Sequence, residues 1–412
     1  MANQMDLAQP SGGNRGWRVT FAGTGINLAL GVLYTWSVFK GGIQKDFAWD
    51  PASLNDPYSV CCLVFAFAMI LAGRCQDRIG PRITAFVGGL LVGVGFFIAS
   101  RTTDYWAWVV GFGVLVGAGI GFGYSSATPP ALKWFPPSKT GLIAGLVVAG
   151  FGLASVYIAP LTTYLLNHGG VLHAARFYSI AFVVVVCALS LLLQNPPAGY
   201  VAGGAASGGA AKPLVASVPP GAVLKTPMFW LLWVIYFIGA GAGLMVISSV
   251  SGMAKKSMGE AAFVAVAVMA IGNAAGRILA GMLSDRIGRR WTLMLVLLFQ
   301  AALMFIAIPV AGSKEMAAVV IVVVAAMIGA NYGANLSLFP SFAKDLWGLK
   351  SFGVNYGILF TAWGMGGFAL PRLQQVLTTR SGGSYTSSFV TAGVLLLLGT
   401  ALTFLIKPPR SS

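Results

Sequence analysis

The residue best placed to do chemistry in this sequence is Arg277. It sits in the run AVAVMAIGNAAGRILAGMLSD, Ala265 to Asp285, and is the only charge there before the closing aspartate. About two helical turns separate it from Asp285. Holding an arginine inside a bilayer costs about 2.5–3.5 kcal/mol on insertion scales. No acidic residue lies in the interior of any apolar run, so the sequence offers it no neutralising partner. A guanidinium is a planar fork that holds a carboxylate through two parallel hydrogen bonds. The competing reading lets Arg277 snorkel to the membrane edge and join the loop charges; its depth in the run favours a carboxylate site.

Little else supports catalysis. Cys61, Cys62, Cys75 and Cys187 lie in or beside apolar stretches without metal-ligand spacing, and they read as small packing residues. His168 and His173 share one short connection. Intramembrane hydrolysis needs a nucleophile with a base, or paired aspartates, and GFGYSS (Gly121–Ser126) is no nucleophile elbow. The sequence therefore predicts neither an enzyme nor a bound metal or cofactor.

A second constellation is a repeat. GRCQDRIGPR (Gly73–Arg82) recurs as GMLSDRIGRR (Gly281–Arg290) at an offset of 208 residues, close to half the chain. The matched positions are Gly73, Asp77, Arg78, Gly80 and Arg82 in one copy and Gly281, Asp285, Arg286, Gly288 and Arg290 in the other. Glycine lets helices approach closely, the aspartate can accept from arginine or cap a helix N-terminus, and the arginines anchor a membrane edge. That is the chemistry of a gate. The same offset relates Tyr124 to Tyr332.

The elements that must position these residues are membrane helices. The 412 residues are 57% apolar and only 9% charged, against about 25% charged in soluble domains. Apolar runs bounded by charge, Pro and Gly predict twelve transmembrane helices, near 17–39, 57–74, 82–100, 105–131, 141–166, 175–194, 228–250, 261–283, 291–311, 316–343, 352–374 and 387–406. The runs are too long and continuous for barrel strands. Residues 195–226, including AGGAASGGAA, read as a flexible linker between six-helix bundles at 1–194 and 227–412. Gly113, Gly117 and Gly121 form a close-packing face. No small-residue cleavage site follows the first apolar run, which is expected to remain as a span.

Charge sets the orientation. With the N-terminus inside, the inner segments hold sixteen of the 26 Lys/Arg, at positions 15, 18, 74, 78, 82, 133, 139, 212, 225, 286, 289, 290, 344, 350, 407 and 410. Nine face the other side, at 40, 45, 101, 176, 255, 256, 314, 372 and 380, and Arg277 remains. Both termini are expected in the cytoplasm. The net charge of +16 is thus a topology signal rather than a nucleic-acid footprint.

The twice-repeated loop resembles the signature of the major facilitator superfamily. That implies two pseudo-symmetric bundles, alternating access by rocking, and a central cavity lined mostly by the first and fourth helices of each half. LGVLYTWSVF (Leu30–Phe39), KWFPPSKTGLIAGLVVAGFG (Lys133–Gly152), NPPAGY (Asn195–Tyr200), KTPMFWLLW (Lys225–Trp233) and NYGILFTAWGMGG (Asn355–Gly367) further resemble the oxalate/formate antiporter group, a bacterial branch related to the monocarboxylate transporters. The resemblance implies small carboxylates as substrates and an arginine at the place of Arg277. A lysine of the oxalate exchanger falls on Trp363, and an aspartate of the animal transporters falls on Asn273. One cation suits one carboxylate, so a monocarboxylate is expected ahead of oxalate. The first-half counterparts of Arg277 and Asn273 are Met69 and Phe65. Charge recognition is therefore expected in the second half, with Tyr34, Tyr124, Tyr332, Asn335, Asn355 and Phe360 supplying shape and polar contacts.

These expectations make the chain a monomeric inner-membrane symporter of a short monocarboxylate with a proton. Carboxylate exchange is the alternative.

Overall fold

The computed structural model describes residues 12–47, 49, 53–197, 199–200, 217–247, 258, 262–310 and 318–407. The middle of the expected linker, with Lys212, lies outside them, as do Asp6, Lys255, Lys256, Lys314 and Arg410. So do the expected helix limits at 250, 261, 311 and 316.

The described chain is helical, and its helices order as the apolar runs predict. The first span is Gly12–Leu30, a 3-10 turn at Gly31–Thr35 and Trp36–Asp46. The second and third are Asp56–Ile79 and Pro81–Ala99. The fourth begins at Tyr105–Trp108, passes through a π-helical stretch at Val109–Val116 and continues as Gly117–Lys133.

Helix Thr140–Ser190 holds both the fifth and sixth spans. A straight helix of its 51 residues would be about 76 Å long, against a hydrocarbon core of about 30 Å. It reverses at Gly170, whose φ of 72° and ψ of −175° break the helix. The Thr162 hydroxyl consequently meets that of Tyr178 at 2.7 Å.

The second half continues with Pro227–Ile247, Ala262–Ile287, Arg289–Val310, Ala318–Trp347, Phe352–Arg380 and Thr386–Thr403 as spans seven to twelve. Nine described helices are long and apolar enough to cross a membrane by themselves, and the bent first span makes a tenth. The reversal at Gly170 and the 29-residue eleventh helix complete twelve.

Several helix ends overrun the expected limits: the first span reaches Asp46 rather than 39, the eighth Ile287 rather than 283 and the tenth Trp347 rather than 343. The second span runs to Ile79 rather than 74, and the eleventh to Arg380 rather than 374. Arg74, Asp77 and Arg78 end an apolar run without ending a helix. Gly113, Gly117 and Gly121 face Val60, Cys61 and Ala68 of the second span, as a close-packing row should.

The halves meet along two helix pairs. Gly73 and Gly357 bring the second span against the eleventh, while Gly141, Gly145 and Gly281 bring the fifth against the eighth. A methyl group on Gly73 would strike the Gly353 backbone, and one on Gly281 would strike the Gly141 carbonyl. The described ends of the expected linker are tied to their own halves rather than free, and Pro220–Val223 within it forms a short helix. Trp134 Nε1 donates to the Gln194 carbonyl at 3.0 Å, and Val218 N donates to the Trp347 carbonyl at 3.0 Å.

Candidate functional site

Arg277 is among the largest side chains with no solvent exposure. It extends from the eighth span across the seam between halves. Its Nε donates to Asn273 Oδ1 at 2.9 Å, one turn back on its own helix, and Nη1 donates to the Val148 carbonyl of the fifth span. Its Nη2 is buried without a hydrogen-bond partner. The ion pairs among the described residues are Arg289–Asp285 and Arg289–Asp345, so no carboxylate neutralises Arg277. A buried guanidinium with one nitrogen unused is an acceptor-seeking group.

Aromatic side chains surround this charge. The Tyr34 hydroxyl lies 2.7 Å from the Tyr332 hydroxyl, which also accepts from Trp363 Nε1 at 2.9 Å. With Trp363 as its donor, Tyr332 can pass its own proton to Tyr34, leaving the Tyr34 hydrogen free for a guest. The Phe65 ring lies 5.5 Å from Tyr124, 5.1 Å from Phe360 and 5.3 Å from Trp363, joining the two halves. Phe360 stacks on Trp363 at 4.9 Å. The Arg277 charge acts on the Tyr34 and Tyr332 phenols of this cluster. The centre thus combines one cation, several hydroxyls and an aromatic wall.

Of the expected site residues, Arg277, Asn273, Tyr34, Tyr124, Tyr332 and Phe360 gather here, whereas Asn335 and Asn355 bond elsewhere. Asn335 Nδ2 donates to Gln300 Oε1 of the ninth span at 3.4 Å and to its own helix at Asn331 O, 2.9 Å. Asn355 lies in the first turn of the eleventh span, where Nδ2 donates to the Val218 carbonyl beside the linker at 2.9 Å. In both, the side-chain Oδ1 stays buried without a hydrogen-bond partner. Sequence reasoning did not choose Trp363, Tyr236 or Tyr356 as site residues. Trp363 carried the available signal, as an indole N–H donor within the run NYGILFTAWGMGG.

The repeated motif closes one end of the seam, here called the motif end. Asp77 accepts from the backbone N–H groups of Gly353 and Val354, each at 3.2 Å, at the start of the eleventh span. Asp285 accepts from Gly141 N at 2.9 Å and Leu142 N at 3.0 Å, at the start of the fifth. Each half's aspartate caps a helix of the other half. Such a cap is worth about 0.5–2 kcal/mol, and the carboxylate also favours the positive end of the helix dipole. Gly80 and Gly288 take φ of 90° and 89°, so the two turns are conformational copies.

The motif arginines take other roles than holding the aspartates. Arg78 and Arg286 are exposed, Arg82 donates to the Leu193 carbonyl at 2.7 Å, and Arg290 lies over the Trp291 and Phe404 rings. Arg289 holds Asp285 at 2.5 Å and Asp345 at 2.9 Å. The 208-residue offset sets Arg289 opposite Pro81, so the repeat itself hid it. Lys344 Nζ donates to Thr140 Oγ1 across the same seam. The motif end is therefore shut in this structure. Among the described residues, no group of His, Cys, Asp or Glu is arranged to hold a metal.

Comparison with known proteins agrees with this architecture. The family model described as Major Facilitator Superfamily matches residues 19–371 and 256–412. The oxalate:formate antiporter of Oxalobacter formigenes is 26% identical, over 98% of this chain and 95% of its own. Monocarboxylate transporter 13 of Bos taurus is 26% identical, over 96% and 90%. Among solved structures, the proton:xylose symporter XylE bound to 6-bromo-6-deoxy-D-glucose superimposes with a TM-score of 0.74, covering 96% of each chain at 12% identity. That last likeness concerns the fold alone.

Proposed function

The chain belongs to the Major Facilitator Superfamily, and from that premise we propose that this transporter carries short monocarboxylates of the lactate and pyruvate type by proton symport with alternating access. It is a multi-pass membrane transporter rather than an enzyme. The observation that carries the substrate reading is Arg277: a buried guanidinium with no carboxylate partner and a free Nη2. The carboxylate relatives support it. Trp363 supplies an indole where a second cation would suit a dicarboxylate.

Coupling follows from charge. Moving a lone monoanion inward against an inside-negative potential costs about 2.3 kcal/mol per 100 mV, and a co-transported proton removes that cost. Asn273 does not titrate, so the proton travels with the substrate or reaches Arg277 through water. The expected setting is a bacterial inner membrane, with both termini and the linker of residues 195–226 cytoplasmic, bundles at 1–194 and 227–412, and a single chain as the working unit. The motif end is then the cytoplasmic end.

Reconstitution into vesicles tests the coupling. An inward proton gradient should drive accumulation of labelled lactate without internal anion. Uptake that ignores the gradient and requires internal carboxylate would favour exchange, the second reading, which the similarity to the oxalate:formate antiporter supports.

A further inference from the structure

Tyr124, at the edge of the Arg277 centre, shares a cluster with two further tyrosines on the side of the motif-end gate, and the three have no task so far assigned to them as a group. Tyr124 comes from the fourth span, Tyr236 from the seventh and Tyr356 from the eleventh. Their rings surround Phe360, with centroids 5.5, 6.1 and 5.7 Å from it. All three hydroxyl oxygens are buried, and none reaches hydrogen-bond geometry with a partner. The Tyr356 phenol lies within electrostatic reach of those of both Tyr124 and Tyr236.

The eleventh span gives their depth. Gly353 and Val354 meet Asp77 at the gate, and Tyr356 follows two residues later. Trp363, beside Tyr332, lies about 10 Å further along the helix axis. The triad thus sits on the gate side of the Arg277 centre while remaining within reach of its charge, which acts on Tyr124 and Tyr236.

A buried hydroxyl without a partner is costly, and three around one ring leave a set of donors to be completed by a polar guest. Three O–H groups can each donate to a carboxylate oxygen, with no positive charge of their own and only the more distant field of Arg277 to retain it. Conduction through sites in series requires binding strong enough to enter and weak enough to leave. Arg277 meets the first need, and an uncharged triad meets the second.

We propose that Tyr124, Tyr236 and Tyr356 form a second, uncharged carboxylate station between Arg277 and the motif-end gate, receiving the anion as it leaves toward that end. The station rests on the carboxylate reading given above. It adds a position that the arginine does not supply.

The test uses Y236F/Y356F, which removes two hydroxyls and keeps both rings. Labelled lactate serves as the probe, with equilibrium binding measured on purified protein and initial rates measured in vesicles. The rate should fall about tenfold while affinity stays within about twofold, since Arg277, Tyr34, Tyr124 and Tyr332 keep every group they bring to the primary site. The melting temperature should hold or rise, because the lost hydroxyls have no partners. Either single variant gives the same readout if the double one is poorly produced. A rate equal to wild type overturns the station and leaves the phenols as packing groups or water ligands. Affinity falling in step with rate also overturns it, assigning the phenols to the arginine site. A wild-type protein that neither binds nor carries lactate, pyruvate or formate overturns the carboxylate reading, and the station falls with it.

Discussion

The hydroxyls of Tyr34 and Tyr332 stand 2.7 Å apart and belong to opposite halves of the molecule. Separating the halves at this depth requires that bond to break or to pass to a substrate. Y34F removes it while sparing the Trp363 bond to Tyr332. A neutral hydrogen bond contributes about 0.5–1.5 kcal/mol, so a shift of that size toward the separated arrangement is expected. Distances between spin labels on the two halves would report it. An unchanged distribution would mean that the bond adds nothing to closure.

Arg277→Ala should abolish carboxylate uptake without loss of folded yield. The change removes a buried charge that has no ionic partner, and that relief offsets the lost bonds to Asn273 and Val148 and the cavity left behind, so the melting temperature should change little. Arg277→Lys should retain only weak transport, because an ammonium lacks the guanidinium fork. Uptake by the alanine variant at the wild-type rate would remove this residue from substrate binding.

Asp77→Asn and Asp285→Asn should each loosen the motif end. Losing about 1 kcal/mol of cap energy changes an opening equilibrium about fivefold. Thr140→Cys, at a buried position beside the gate, provides the reporter in a background without Cys75. Its labelling by a membrane-impermeant maleimide should rise by that factor in either variant and further in the pair.

Arg289→Ala should cost more stability than Arg286→Ala. Arg289 bonds Ser284, Asp285 and Asp345, whereas Arg286 is exposed. The first loss is about 1.5–3 kcal/mol, as for hydrogen bonds to charged groups. The second should fall within about 0.5 kcal/mol. Thermal unfolding of the two purified variants decides the order.

Trp363→Lys should admit a dicarboxylate. A second ammonium near Tyr332 would neutralise the charge that Arg277 leaves unpaired on oxalate. Oxalate affinity should then rise about tenfold relative to lactate, the effect of about 1.4 kcal/mol. Competition binding measures the ratio, and no change would place the selectivity elsewhere.

The sequence makes the helices and the buried arginine legible because a bilayer leaves few alternatives. A charge inside an apolar run is visible without knowing its neighbours, and so is a motif repeated at a fixed offset. Partner choice across the seam is less visible. Asn355 falls inside an apolar run, yet its helix begins only three residues earlier, and its Nδ2 is taken by the Val218 carbonyl of the expected linker. Tyr236 and Tyr356 look like packing residues until four spans are assembled around Phe360. Arg289 breaks the repeat, and a comparison built on identity passes over it.

The two halves also differ in backbone. Among the described residues, the 3-10 turn at Gly31–Thr35 and the π-helical stretch at Val109–Val116 both lie in the first half, on its first and fourth spans. The described counterparts at 239–243 and 318–324 are plain α-helix. Irregular turns of this kind bend at lower cost than a continuous α-helical ladder. The half without the arginine therefore carries the compliance. On the carboxylate reading, one lobe would be a stiff anvil that keeps the charge in register, and the other the sprung jaw that adjusts to what the charge has caught.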